Sequence, residues 1–94
     1  MENNIQLFFS KNKWDFIDNN RKVRKLFKFS TFSEAFSWMT EVSFSAEKID
    51  HHPDWTNVYN KVDVTLSTHD QNKLTKKDLS LAQLMEKTFV KYNY

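Results

Sequence analysis

The sequence predicts an α+β fold: a four-stranded antiparallel sheet with helices packed on one face, in the order (α)ββαββα. Two pairs of short segments rich in aromatic and β-branched residues predict the strands. Each pair precedes a stretch that opens on a helix-capping pattern and carries apolar residues at three- and four-residue steps. The 94 residues are expected to form one small domain, near the size at which a lone core is only modestly stable and self-association is a natural supplement.

The segment before Lys13 leaves two alternatives open. "NIQLFFS" is compatible with a short helix or with an extended segment that packs Leu7 and Phe8 or Phe9. "WDFI" from Trp14 to Ile17 and "VRKLFKF" from Val23 to Phe29 flank the turn-forming Asp18, Asn19 and Asn20, which predicts a hairpin. Thr31 with Glu34 three residues on makes a capping box, so a helix starts there. Phe32, Ala35, Phe36, Met39, Val42, Ala46 and Ile49 form its apolar stripe. Trp38 and Phe44 fall off that stripe, and a helix aromatic on more than one face is expected to be deeply buried or covered by a second subunit. Pro53 forbids continuation and holds His52 out of α geometry.

From Trp55 the period becomes two, with Val62, Val64 and Leu66 on one face and Lys61, Asp63, Thr65 and Ser67 on the other. Asn60-Lys61 is the expected tight turn between "WTNVY" and "VDVTLSTH". Thr75 with Asp78 is a second cap, and Leu81, Ala82, Met85, Phe89 and Tyr92 form the stripe of a closing helix. No internal repeat, linker or low-complexity segment interrupts the pattern.

Composition removes whole classes of chemistry. There is no glycine, and P-loops, dinucleotide-binding loops and the G-x-S-x-G elbow all need one; turns are expected to fall on Asn instead. There is no cysteine, which excludes disulfides, thiolate metal sites and a Cys nucleophile and fits a cytoplasmic protein. The N-terminus lacks the pattern of a secretion signal and no apolar run is long enough to span a bilayer, so a soluble protein with no membrane partner is expected. The net charge of +2 is small, and the basic run "RKVRKLFK" alternates as a solvated strand face does, so nucleic acid is not expected as a partner.

All three histidines lie between Glu47 and His69. If the helix persists, Glu47 and His51 share a face one turn apart, with His51 near the negative end of the helix dipole, a place suited to an acid. His52, before Pro53, must leave the backbone in a different direction. His69 ends a strand, and if that strand pairs with the one opened by Trp55, its end returns to the helix terminus and three imidazoles line one pocket. An unperturbed imidazole pKa of about 6.5 suits proton transfer in both directions near neutrality. A zinc site is the rival reading, opposed by the adjacency of two histidines, the lack of H-x-x-x-H spacing and the lack of Cys ligands. Asp78 is accounted for by its cap, with a direct chemical role as the alternative. Trp55 either packs in the core or stacks on a flat heterocycle.

The run "AEKIDHHPDWTNVYNKVDVTLSTHD", followed by "LTKKD", resembles the signature of the pterin-4a-carbinolamine dehydratases, the family that includes the dimerisation cofactor of a homeodomain transcription factor. The likeness runs from Trp14 to the final helix and takes in "FKFSTFSEAFSWMTEV". It implies dehydration of 4a-hydroxytetrahydropterin to quinonoid dihydropterin, after an aromatic amino acid hydroxylase or similar oxygenase has made the carbinolamine. By the family's motif His51, His52 and His69 are the catalytic residues: His51 and His69 transfer protons and His52 binds and orients the pterin. Glu47 and Asp78 support them, and His51, His52, Pro53, Thr68, His69 and Asp70 contact the substrate. No metal or bound cofactor is implied.

Two departures accompany the likeness. Lys73 stands where the family usually has a small residue, so a reshaped loop after His69 is expected, and the short N-terminal segment implies a stunted or absent first helix. The resemblance also implies a homodimer or homotetramer, formed by joined sheets or through the long helix. The alternative function is a non-catalytic dimerisation, assembly or transcriptional coactivator module of the same fold.

Overall fold

The computed structural model describes residues 1–92. Its elements are α1 (Asn3–Lys11), β1 (Asp15–Ile17), β2 (Lys22–Lys28), α2 (Phe32–Lys48), β3 (Asp54–Val58), β4 (Lys61–Leu66) and α3 (Lys76–Phe89), closed by one 3₁₀ turn, Val90–Tyr92. The four strands form one antiparallel sheet in the order β1-β2-β4-β3, which places β4 inside the sheet and β3 at its edge. The expected α+β architecture is thus observed. The open N-terminal question resolves in favour of a helix, nine residues long, which buries Ile5 and Phe9 and leaves Leu7 exposed.

The core lies between the sheet and the helices. Val23, Phe27, Val62, Val64 and Leu66 supply the sheet side, and Ala35, Trp38, Val42, Ala46, Leu81, Ala82 and Met85 the helix side. Trp38 corrects the expected stripe: it is fully buried, its ring centroid is 4.6 Å from that of Phe27, and its indole N–H donates to the Met85 carbonyl at 3.2 Å. The face of α2 that meets the sheet is therefore Ala35, Trp38, Val42 and Ala46, whereas Phe32, Phe36 and Phe44 stand exposed. Trp38 is no subunit contact; Phe44 remains on the outside.

Without glycine, left-handed backbone falls on other residues. Asp18, Asn19 and Asn20 take positive φ in the first hairpin, as their short polar side chains allow. In the second hairpin the positive-φ residue is Tyr59, so the turn is Tyr59-Asn60, one residue earlier than expected, with Val58 paired to Lys61. Asn60 serves the turn differently: its amide Nδ2 donates to the Phe29 carbonyl at 2.8 Å. The strand also ends sooner, at Leu66, so Ser67 is buried rather than on the outer face.

Both expected helix starts are present, with one adjustment. The Thr31 hydroxyl accepts from the Glu34 amide at 3.1 Å, but the Glu34 carboxylate takes the amide of Ser30 at 3.2 Å rather than that of the cap itself. The basic run in β2 divides between two faces. Arg24 pairs with Asp63 on the open face, while Lys25 points inward, 2.6 Å from Glu86 of α3 and 2.8 Å from the Asn12 carbonyl. Glu86 also accepts from the Trp14 indole at 2.8 Å, which ties the start of β1 to α3.

Candidate active site

The end of α2 sets the position of the first histidine. Ile49 caps the helix, Asp50 adopts φ 53°, the His51 amide donates back to the Ala46 carbonyl at 3.0 Å and the Asp50 amide to the Glu47 carbonyl at 3.2 Å. This is a Schellman closure, with Asp50 in the left-handed position that glycine usually fills. The reversal breaks the helical register, so Glu47 and His51 do not share a face as expected. Glu47 instead pairs with His52, Oε1 to Nε2 at 2.9 Å, in the open.

His51 turns inward and meets Asp78. Its Nε2 lies 2.7 Å from Asp78 Oδ1, with the imidazole nearly buried and the carboxylate wholly so. Asp78 sits in the first turn of α3, where its Oδ2 accepts from the Thr75 amide at 2.9 Å and from the Thr68 hydroxyl at 2.7 Å. The two readings of Asp78 therefore merge: one oxygen closes the capping box and the other holds a histidine. An ionised carboxylate is acceptor only, so the shared hydrogen of a neutral His51 sits on Nε2. No protein partner approaches Nδ1, and among the described residues no fully buried side-chain nitrogen or oxygen lacks a partner, so Nδ1 opens to solvent.

His69 reaches the same place from the sheet. It lies three residues beyond the end of β4 rather than on the strand, in a loop where the Thr68 amide donates to the Lys73 carbonyl at 3.1 Å and Asn72 takes φ 51°. Lys73 thus keeps extended pairing, and its neighbour absorbs the conformation that a glycine would otherwise supply. The His69 Nε2 lies 3.6 Å from Asp54 Oδ2, both side chains exposed.

Asp50, His51, His52, Pro53, Asp54, Thr68, His69, Asp70 and Lys77 line one open cleft of about 440 Å³. All the residues expected to contact substrate are in it. Glu47 and Asp78 stand behind His52 and His51 respectively. Thr68 lines the wall, but its hydroxyl is committed to Asp78. Asp50, Asp54 and Lys77 were not foreseen. Asp50 and Asp54 flank the His-His-Pro segment directly, yet only the β3–β4 pairing, with Asp54 opposite Thr65, brings Asp54 to His69. Each imidazole therefore has a carboxylate at Nε2, with burial falling from His51 to the two exposed pairs. Among the described residues no group of three His, Cys, Asp or Glu side chains is placed to hold a metal ion.

A family model described as Pterin 4 alpha carbinolamine dehydratase matches residues 1–88. The chain belongs to this family. The resemblance carried by the His-His-Pro segment is borne out. A Rhizobium meliloti protein provisionally named a pterin-4-alpha-carbinolamine dehydratase is 53% identical over 73 residues, covering 78% of this chain and 70% of its own. A Prochlorococcus marinus protein with the same provisional name is 46% identical over 86 residues, covering 92% and 90%. A crystal structure from Brucella melitensis, described as a transcriptional coactivator/pterin dehydratase, superposes with a TM-score of 0.83 at 37% identity, over 94% of this chain and 96% of that one. The dehydratase fold of that neighbour is the α+β arrangement observed here.

Proposed function

We propose that the cleft dehydrates a 4a-hydroxytetrahydropterin to the quinonoid dihydropterin. The observation that supports this most is the convergence of His51, His52 and His69 on one hollow, with a buried carboxylate behind His51 alone. Elimination needs a base for the N5 proton and an acid for the departing hydroxyl. Neutral His51, its Nε2–H held by Asp78, offers the lone pair of Nδ1 to the N5 proton. The electrons of the N5–H bond become the second bond between N5 and C4a. The C4a–O bond breaks, its electron pair leaves with oxygen, and protonated His69 supplies the proton that makes the leaving group water. Asp54 Oδ2 stands 3.6 Å from the Nε2 of His69 and helps to orient that ring. His52, held by Glu47, binds and orients the ring. Solvent then returns the two histidines to their starting protonation states, so no metal or redox partner enters the balance.

Stopped-flow turnover of a synthetic 4a-hydroxytetrahydropterin tests the reading. The wild-type rate is expected to exceed that of His51→Ala/His69→Ala by about 10²-fold or more, the range in which positioned acid–base groups act. Equal rates would sink it.

The protein is further expected to act as a homodimer or homotetramer in the cytoplasm, downstream of an aromatic amino acid hydroxylase or similar oxygenase. Among the described residues no helix is long and apolar enough to cross a membrane. A second reading, an assembly or coactivator module, draws on the description of the Brucella melitensis neighbour and on the exposed Phe32, Phe36 and Phe44 of α2.

A further inference from the structure

The loop after His69 has two sides. One faces the histidine cleft; the other faces a second hollow of about 550 Å³, lined by Glu2 and Ile5 at the start of α1 and by Lys73, Leu74, Lys76 and Lys77. Lys77 lines both hollows. Their charges differ. The cleft carries Asp50, Asp54 and Asp70 among its histidines, whereas Lys73, Lys76 and Lys77 dominate the second hollow. Among the described residues none of these three ammonium groups has a carboxylate within 4.0 Å.

The chemistry of the pterin ring gives this arrangement a direction. Its pyrimidine edge presents the 2-amino and N3–H donors, which suit the carboxylates of the cleft. Its other end carries C6, bonded to N5. On the dehydratase reading the N5 proton goes to Nδ1 of His51, and Lys77 lines the same cleft. N5 therefore lies at His51, and C6, bonded to it, is the ring atom whose substituent reaches toward Lys77, the residue that borders both hollows. Ile5 and Leu74, both buried, give that hollow an apolar floor, and Lys73 and Lys76 join Lys77 in its lining.

We propose that the substrate is a pterin whose C6 substituent carries an anionic group, carboxylate or phosphate, held by Lys73, Lys76 and Lys77. This inference rests on the dehydratase reading. It also gives Lys73, the departure from the family's small residue, a role in selection.

The test compares kcat/KM for three synthetic 4a-hydroxytetrahydropterins: one with a neutral 6-methyl group, one with a glutamate-bearing folate-type substituent, and one with a 6-hydroxymethyl phosphate ester. Each is run on the wild type and on Lys73→Gln/Lys76→Gln, in low and high salt. At least one anionic substrate is expected to exceed the neutral one by about tenfold in the wild type, the sum of several solvent-exposed charge contacts. That ratio should fall toward one in the variant and in high salt. Because the ratio is internal to each protein, a loss of folded material cancels. A preference for the folate-type substrate identifies carboxylate as the anion, and a preference for the ester identifies phosphate. Equal kcat/KM for all three, or a preference that survives the double substitution, overturns the inference while the dehydratase reading stands. Failure of every substrate to exceed its spontaneous rate defeats that reading, and this inference with it.

Discussion

Asp78 Oδ1 lies 2.7 Å from His51 Nε2 while Asp78 Oδ2 accepts from both Thr68 and Thr75, so a single buried carboxylate joins a helix start, a loop and the proposed base. The two functions of that side chain are separable. Asp78→Asn keeps a carbonyl oxygen for the cap but turns an N–H₂ toward His51, which pushes the imidazole hydrogen to Nδ1 and removes the lone pair facing the substrate. The expected result is a loss of about 10²-fold or more in kcat with little change in stability. Asp78→Ala removes the acceptor as well, leaving buried donors unpaired at a cost of about 1–3 kcal/mol in chemical denaturation. If Asp78→Asn turned over normally, the tautomer account would fail.

Asp54 offers a weaker version of the same device. Its pair with His69 is 3.6 Å long and open to water, so Asp54→Asn is expected to lower kcat by no more than about fivefold, in line with the small coupling of exposed ion pairs. Asp54→Glu should recover part of the loss, since a carboxylate is restored at longer reach. A loss equal to that of Asp78→Asn would place Asp54 in direct contact with the reacting atoms instead.

These two carboxylates show where sequence reasoning reaches and where it stops. The cap pattern Thr75-x-x-Asp78 is local, so it located α3 and the backbone role of Asp78; its contact with His51 spans two elements and has no local signature. Glu47 and His51 are one helical turn apart on paper, but Asp50 closes the helix between them, and the left-handed tendency of an Asp before His-His-Pro is a slight signal beside an unbroken apolar period. Trp38 illustrates a degeneracy. Ala35, Val42 and Ala46 belong both to the stripe that includes Phe32 and Phe36 and to the one that includes Trp38; which edge is buried depends on where the sheet lies. The second turn falls one residue earlier than residue type predicts: Asn60 is the better left-handed residue, whereas the β3–β4 register puts Tyr59 there.

That degeneracy has a measurable consequence. Trp38→Ala should destabilise the fold by about 3–5 kcal/mol, as loss of a large core side chain does, and it should do so at any protein concentration. Phe44→Ser, at a position 74% exposed, should change stability by less than about 0.5 kcal/mol. Any effect of Phe44 belongs to association, and light scattering after size exclusion reads it directly. A Trp38 variant that merely dissociated, with an unchanged denaturation midpoint in the dissociated form, would return Trp38 to an interface.

The open face of the sheet carries a pH-dependent contribution that lies outside the cleft. Arg24 grips Asp63 from the neighbouring strand with two hydrogen bonds, Nε to Oδ1 at 2.9 Å and Nη2 to Oδ2 at 2.5 Å. The hydrogen-bonded guanidinium holds the Asp63 carboxyl below the usual carboxylate range, against a smaller opposing effect of burial. A carboxyl whose folded pKa is depressed contributes stability above its unfolded pKa of about 3.9, and that contribution is lost as pH falls through the folded value. Asp63→Asn should therefore lower Tm at neutral pH by a small amount, and the gap to the wild type should close below about pH 4. Added salt should narrow the neutral-pH gap as well, because both partners are reachable by solvent. Thermal unfolding of the two proteins from pH 7 to pH 2 reads the difference. A gap that persisted at the acid end would mean that Asp63 stabilises β4 through its neutral hydrogen bonds, with the Arg24 charge incidental.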